Sequence, residues 1–180
     1  MASVAPRADI QYFKDAFLKK GVSRPNRFLV TFNAIGASEI NFPAETVSLP
    51  SKSFETIDEQ WYGPIRNIPI GVKFESSVLI TYPVSEDQSE RGFFEEWMDQ
   101  VVDPETNENK YKAIVQGGLG SSMEIATLDM ANEVTSTFKF TEVYPSNIIP
   151  TQYSAATMND YQRITVQMNY RSYTYKRGSG

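Results

Sequence analysis

The chain has 180 residues, 41% of them hydrophobic, and contains neither cysteine nor histidine. That length suits one domain with a single core, and the two missing residue types exclude disulfides, thiol nucleophiles, Cys/His zinc sites and histidine general bases. Seventeen basic against 22 acidic side chains leave a net charge of −5, a poor balance for gripping a phosphate backbone, where affinity comes from Lys and Arg displacing counterions.

Residues 1–8 read as an arm. Asp9 then caps a short predicted helix carrying Ile10, Phe13 and Phe17 at helical spacing, with Lys19 and Lys20 at its negative end and Gly21 as its stop. Charges at Arg7, Asp9, Lys14 and Asp15 interrupt any signal-peptide core, and no run approaches the 18 or so apolar residues of a membrane span. The expectation is a soluble domain made and assembled in a cytoplasm.

Alternation begins at Phe28, Val30 and Phe32. Further strands are expected over Glu39–Val47, Glu55–Tyr62 and Val72–Tyr82, the last placing Val78, Ile80 and Tyr82 on one face. A helix follows, with Asp87 and Glu90 at capping-box spacing and Phe93, Phe94, Trp97, Met98 and Val101 on one side. It stops before Pro104. The remainder reads as strands over Lys110–Val115, Met123–Met130, Val134–Val143 and Gln162–Tyr175, with a flexible end over Arg177–Gly180. Many short strands and one or two peripheral helices predict a mainly β fold, an antiparallel sandwich or barrel.

Three clusters invite a chemical reading, and each has a simpler one. Glu95, Glu96 and Asp99 form the solvated side of a helix more readily than a pair of glycosidase acids. Asp103, Glu105, Asn107 and Asn109 alternate oxygen ligands as a calcium loop does, but Glu108 stands at the glycine position and Ile114 at that of the final glutamate. Gly117–Ser122 is rich in glycine yet lacks the lysine of a phosphate-binding loop. No serine has a histidine to activate it. The inventory argues against an enzyme, and no cofactor or metal is expected.

The stretch Gln60–Ile70 differs from these. Trp61, Tyr62, Ile65, Ile68 and Ile70 are broken by Gly63, Pro64 and Pro69: too many breakers for a central strand, too apolar for an ordinary loop. Either the segment folds back on its own core, or it is an arm buried in a neighbouring subunit, where Trp and Tyr are favoured anchors.

From Ser23 to Phe32, SRPNRFLVTF resembles the tail tube proteins of T-even-like, contractile-tailed bacteriophages. The resemblance continues in order. It takes in Val47-Ser48-Leu49-Pro50 in place of an Ala-x-x-Leu-Pro turn and a hairpin arm with Arg66, Asn67 and Ile68 near its tip. The helix with Trp97, the segment Tyr111–Val115, the turn Val143–Asn147 and the closing strand Gln162–Tyr173 follow. It spans about residues 9–175, read as one domain whose hairpin arm is 59–71, before a flexible end at 176–180. Longer stretches near the first strand and at Asp103–Asn109 depart from the family pattern.

The resemblance implies homohexameric rings whose inner sheets join into one barrel. Rings stack inside a contractile sheath, and the tube conducts genomic DNA in a virion tail assembled in the host cytoplasm. Implied partners are further copies of the chain, the sheath, a tape measure protein, baseplate initiators and a tail terminator; DNA passes without specific binding and no membrane anchor is involved. Inter-subunit contacts are expected at Trp61, Tyr62, Gly63, Pro64, Ile65, Arg66, Asn67 and Ile68. Alternation nominates Glu75, Ser77, Glu124, Thr135 and Thr137 for the channel wall. A baseplate initiator, an injection-apparatus tube and a monomeric glycan- or receptor-binding sandwich remain as alternatives.

Overall fold

The computed structural model describes residues 14, 23–33, 42–112, 121–151, 153 and 160–178. Lys14, helical, is the one described residue of the expected N-terminal helix. The arm 1–8, the helix cap and stop, residues 39–41 and 113–115, the Gly117–Gly120 turn and the last two residues lie outside that set.

Strands β1 (Phe28–Asn33), β6 (Ser122–Leu128), β7 (Val134–Thr141) and β10 (Ser172–Arg177) form one antiparallel sheet in the order β1-β6-β7-β10. A second, ordered β2-β5-β9-β8, contains β2 (Thr46–Val47), β5 (Ser77–Pro83), β9 (Arg163–Asn169) and β8 (Tyr144–Ile149). Among the described residues, β3 (Lys52–Glu59) and β4 (Arg66–Phe74) pair only with each other. The mainly β antiparallel fold expected from the sequence is the one observed.

Register explains the core. Residues directly opposite each other share a face, so Val30, Ile125 and Phe138 form one inward row and Phe32, Met123 and Phe140 the next. From the other sheet, Ile80 with Val166 and Tyr82 with Ile164 meet them. Helix α1 (Ser89–Val101) closes the open side: Phe94 stacks edge-on against Phe32 at 5.9 Å and lies 5.5 Å from Tyr82, while Trp97 reaches Phe32 at 6.0 Å. Arg27 secures the β6–β7 turn by donating to the Asp129 carbonyl at 3.1 Å and to Asn132 Oδ1 at 2.9 Å.

Several expected boundaries move. The predicted strand Val72–Tyr82 is two, parted at Glu75-Ser76 where the β3–β4 ribbon leaves the body. Arg66–Ile70, judged too broken for a central strand and read as part of a hairpin arm, lies in β4, one of the two strands of a separate ribbon. A two-stranded ribbon has open edges, so Pro69 there need not deprive a neighbour of a donor. Gln162–Tyr175 breaks at Tyr170-Arg171, and the chain crosses from one sheet to the other. The same crossing occurs at Glu142, with φ of 53°, and the segment read as a turn after it is β8. Of Glu39–Val47, only Thr46–Val47 pairs among the described residues. Tyr111 is helical rather than extended, and Lys176 and Arg177 belong to β10, opposite Thr137 and Ser136.

The capping box is also rearranged. Gln88 precedes α1 in the left-handed region at φ 55° without a side-chain cap. Glu90 instead accepts the Ser85 backbone N–H at 3.0 Å and the Ser85 hydroxyl. Burial works against ionisation of Glu90, but these hydrogen bonds outweigh it and hold its carboxyl below the usual range. A depressed carboxylate stabilises the fold above its unfolded pKa and loses that contribution as pH falls through the folded value. Glu90→Gln is therefore expected to lower thermal stability at neutral pH and to match wild type in strong acid, measured by melting curves across pH.

Tyr82 is fully buried, and its hydroxyl and the Trp97 Nε1 have no hydrogen-bond partner. Burial drives the Tyr82 pKa far upward, so the phenol stays neutral. An orphaned buried hydroxyl costs about 1–3 kcal/mol. Tyr82→Phe is accordingly expected to match or exceed wild-type stability in denaturant titration, whereas Phe94→Ala should lose about 3–5 kcal/mol.

Candidate subunit interface

β3 and β4 form an arm projecting from the end of the second sheet. Every residue of β3 and every residue from Gln60 to Ile70 is exposed. Trp61 is 83% exposed and Tyr62 101%, with Phe54, Ile57, Ile65, Ile70 and Val72 all at least half exposed. Gly63 turns the tip with φ of 114°, a conformation that favours glycine.

The arm is apolar on both faces. Phe54 opposes Val72, while Ile57, three residues further along β3 and so on the other side, opposes Ile68. Between these pairs the partners jump from Gly71 to Pro69, leaving Ile70 unpaired at a bulge. A ribbon lying along its own body would need one apolar face; two suit a ribbon with neighbours on both sides. At its distal end opposite charges meet, with Glu59 opposite Arg66.

Its base is fastened. The Ser51 N–H donates to Glu75 Oε2 at 3.0 Å, the Glu75 N–H to the Ser51 carbonyl at 3.2 Å, and the Tyr170 hydroxyl to the Glu75 carbonyl. Burial pushes the Tyr170 phenol up to about 12, so it remains a donor at neutral pH. Phe74 packs edge-on against Tyr173 at 5.2 Å, and the Lys52 ammonium lies 5.7 Å from the Phe74 ring centre. The root is thus tied to the sandwich while the distal half touches solvent.

The residues nominated for a channel wall fall into two groups. Glu124 and Thr137 lie on the outward face of the first sheet, and Thr135 sits beside the β6–β7 bulge with its hydroxyl 3.0 Å from that of Thr127. Glu75 is at the root of the arm, and Ser77 begins the outward row of the second sheet. The first sheet's outward face also carries Lys139, opposite Glu124, and Lys176, opposite Thr137. On the second, the outward row is Leu79, Thr81, Thr165, Gln167 and Asn169, and Arg163 at its end is paired with Glu45 at 2.8 Å and Asp160 at 3.1 Å.

The chemical candidates dissolve into local structure. Glu95 is bound by Arg91 at 2.7 Å. Asp103 accepts the backbone N–H groups of Glu105 and Thr106 at 2.9 and 3.2 Å, which fold its loop and hold its carboxyl below the usual range. Among the described residues no cluster of His, Cys, Asp or Glu is placed to hold a metal, and no helix is long and apolar enough to cross a membrane. Sequence reasoning did not single out the groove of about 400 Å³ between α1 and the end of β8, lined by Arg91, Glu95, Met98, Asp99 and residues 147–151. Reading Val143–Asn147 as a turn hid the strand that forms its second wall.

The described residues form a β-sandwich carrying an exposed arm with apolar residues on both faces, the kind of surface by which a protein assembles with others.

The sequence of residues 14–176 matches the phage tail tube protein family, and the chain belongs to it. It is a structural component of the tail tube in a phage virion. No curated protein matches the chain in sequence. Among solved structures, a chain of the anti-feeding prophage baseplate is similar at 13% identity and TM-score 0.65, covering 88% of this chain and 97% of that one. A chain of the sheath-tube complex of an extracellular contractile injection system, in its extended state, is 16% identical at TM-score 0.63, covering 91% and 97%. The SPP1 tail tube is 12% identical at TM-score 0.55, covering 87% and 80%. These three share the fold.

Proposed function

We propose that the chain is the inner-tube subunit of a contractile tail, a non-enzymatic protein whose homohexameric rings stack into a channel for genomic DNA. The observation that carries this reading is the arm: a ribbon of large apolar residues, fastened at its root and with no partner at its tip. Residues 9–175 act as one tube domain after an N-terminal arm over 1–8. Trp61, Tyr62, Gly63, Pro64, Ile65, Arg66, Asn67 and Ile68 make the contacts between rings. The sheath surrounds the tube, a tape measure protein occupies it during assembly, and baseplate initiators and a terminator cap its ends; no membrane anchor takes part, and assembly proceeds in the host cytoplasm.

In this reading the second sheet lines the channel, its edges β2 and β8 pairing between neighbours so that no edge is left open. Beside Leu79, its outward row offers hydroxyl and amide groups, and its one cation among the described residues is already paired; passing phosphates find no free lysine there to displace their counterions. Ser77 is then a wall residue and Glu75 sits at the rim. Glu124, Thr135 and Thr137, on a face with Lys139 and Lys176, belong to the tube exterior. Negative-stain electron microscopy of the concentrated chain tests the proposal: hollow rings or tubes are expected, and a persistent monomer that binds glycans would overturn it. The likeness to an anti-feeding prophage baseplate and to an extracellular contractile injection system favours a second reading, an initiator or a tube without genome, whose neighbouring genes would lack capsid and terminase functions.

A further inference from the structure

The arm and the α1–β8 groove lie at opposite ends of the same sheet. In the second sheet, Ser77, Asn169 and Tyr144 form the row nearest the arm, and Pro83 and Arg163 the last row away from it. β8 reaches the far end, where Ile149 opposes Thr165 and the Thr151 hydroxyl contacts the Arg163 carbonyl at 3.5 Å. The groove opens there. Stacking identical rings head to tail brings the arm end of one against the groove end of the next, which is the arrangement of a heterologous interface.

We infer that the groove between α1 and β8 receives the arm tip of a second copy in the adjacent ring. This rests on the tube reading above and names the acceptor for its arm. The fit is chemical as well as positional. Met98, Ile148 and Pro150 offer an apolar floor for Trp61 and Ile65, and Asp99 on the helix side, beyond the Arg91–Glu95 pair, faces the incoming Arg66. Reach is sufficient: eight paired residues carry the ribbon about 26 Å from its root, compared with about 23 Å for the whole of β5. The arm therefore extends well past the ring boundary.

Because the chain has no cysteine, paired cysteines report the contact directly. In tubes assembled from the full chain carrying Ile65→Cys and Met98→Cys, oxidation is expected to link copies into a ladder on a non-reducing gel, with neither single variant giving one. A ladder at Tyr62→Cys with Pro150→Cys would be a second, independent sign. Asp99→Lys is expected to reduce sedimenting tube about tenfold through like charge against Arg66, and Arg66→Glu in the same chain to restore it. Well-formed tubes without a ladder from either pair, or a groove that binds sheath segments while the arm stays free, would overturn the acceptor and leave the tube reading standing. A wild-type chain that forms no ring or tube would count against the tube reading itself.

Discussion

Trp61→Ala combined with Ile65→Ala is expected to yield a folded subunit, as monomer or free ring, that no longer polymerises into tubes. Both side chains are more than half exposed, and no core residue depends on them. Melting temperature and circular dichroism should therefore stay at wild-type values. Buried interface tryptophans lost to alanine cost about 2 kcal/mol or more. With a comparable loss at Ile65, each ring-to-ring contact weakens by about 4 kcal/mol, or roughly a thousandfold. Six such contacts per ring act together, so the expected sedimentation profile contains monomer or free ring and no tube. Tubes of normal length from the double variant would show that the arm is not the anchor. A melting temperature that falls with assembly would show instead that these residues pack on their own domain.

The second large effect concerns the channel. Ser77→Lys with Gln167→Lys places two unpaired cations on the outward row of the second sheet, repeated around every ring. DNA moving through such a wall is expected to be held back, because each lysine trades a counterion for a phosphate. Ejection should slow severalfold at low ionic strength and recover as salt is raised, since the Debye length shrinks to about 3 Å at 1 M. Thr137→Lys, on the other sheet beside Lys139 and Lys176, is expected to leave ejection unchanged. Slowing by Thr137→Lys and not by the pair would assign the channel to the first sheet. Tube assembly, checked by microscopy for each variant, separates a blocked channel from a broken tube.

Much of this was legible locally. Alternation in β1, β5, β7 and β9 is a property of a half-buried strand, and it identified the inward residues: Val30, Phe32, Val78, Ile80, Ile164 and Val166 are all buried. The helix around Phe94 and Trp97 announced itself in the same way. The apolar, broken stretch at Trp61–Ile70 stood out because monomers do not normally leave such residues exposed. Motif order carried the family, which matches over residues 14–176.

What composition and periodicity determined, then, was an antiparallel β protein, the inward face of its main strands, and an apolar, broken segment that either folds back on its own core or meets a neighbour. These follow from rules that act within about ten residues of chain. Tertiary structure alone decided where long alternating runs change sheet, at Glu75-Ser76 and at Tyr170-Arg171, because an inward residue looks the same whichever sheet bears it. It decided that Pro69 sits within a strand, since an open ribbon edge forgives a missing donor. It also separated Glu75 and Ser77 from Glu124 and Thr137, and set the arm and the α1–β8 groove at opposite ends of one sheet. Which polar faces look the same way, and which ends face apart, depends on pairings between residues up to about a hundred positions distant, and alternation along a single strand carries no record of them.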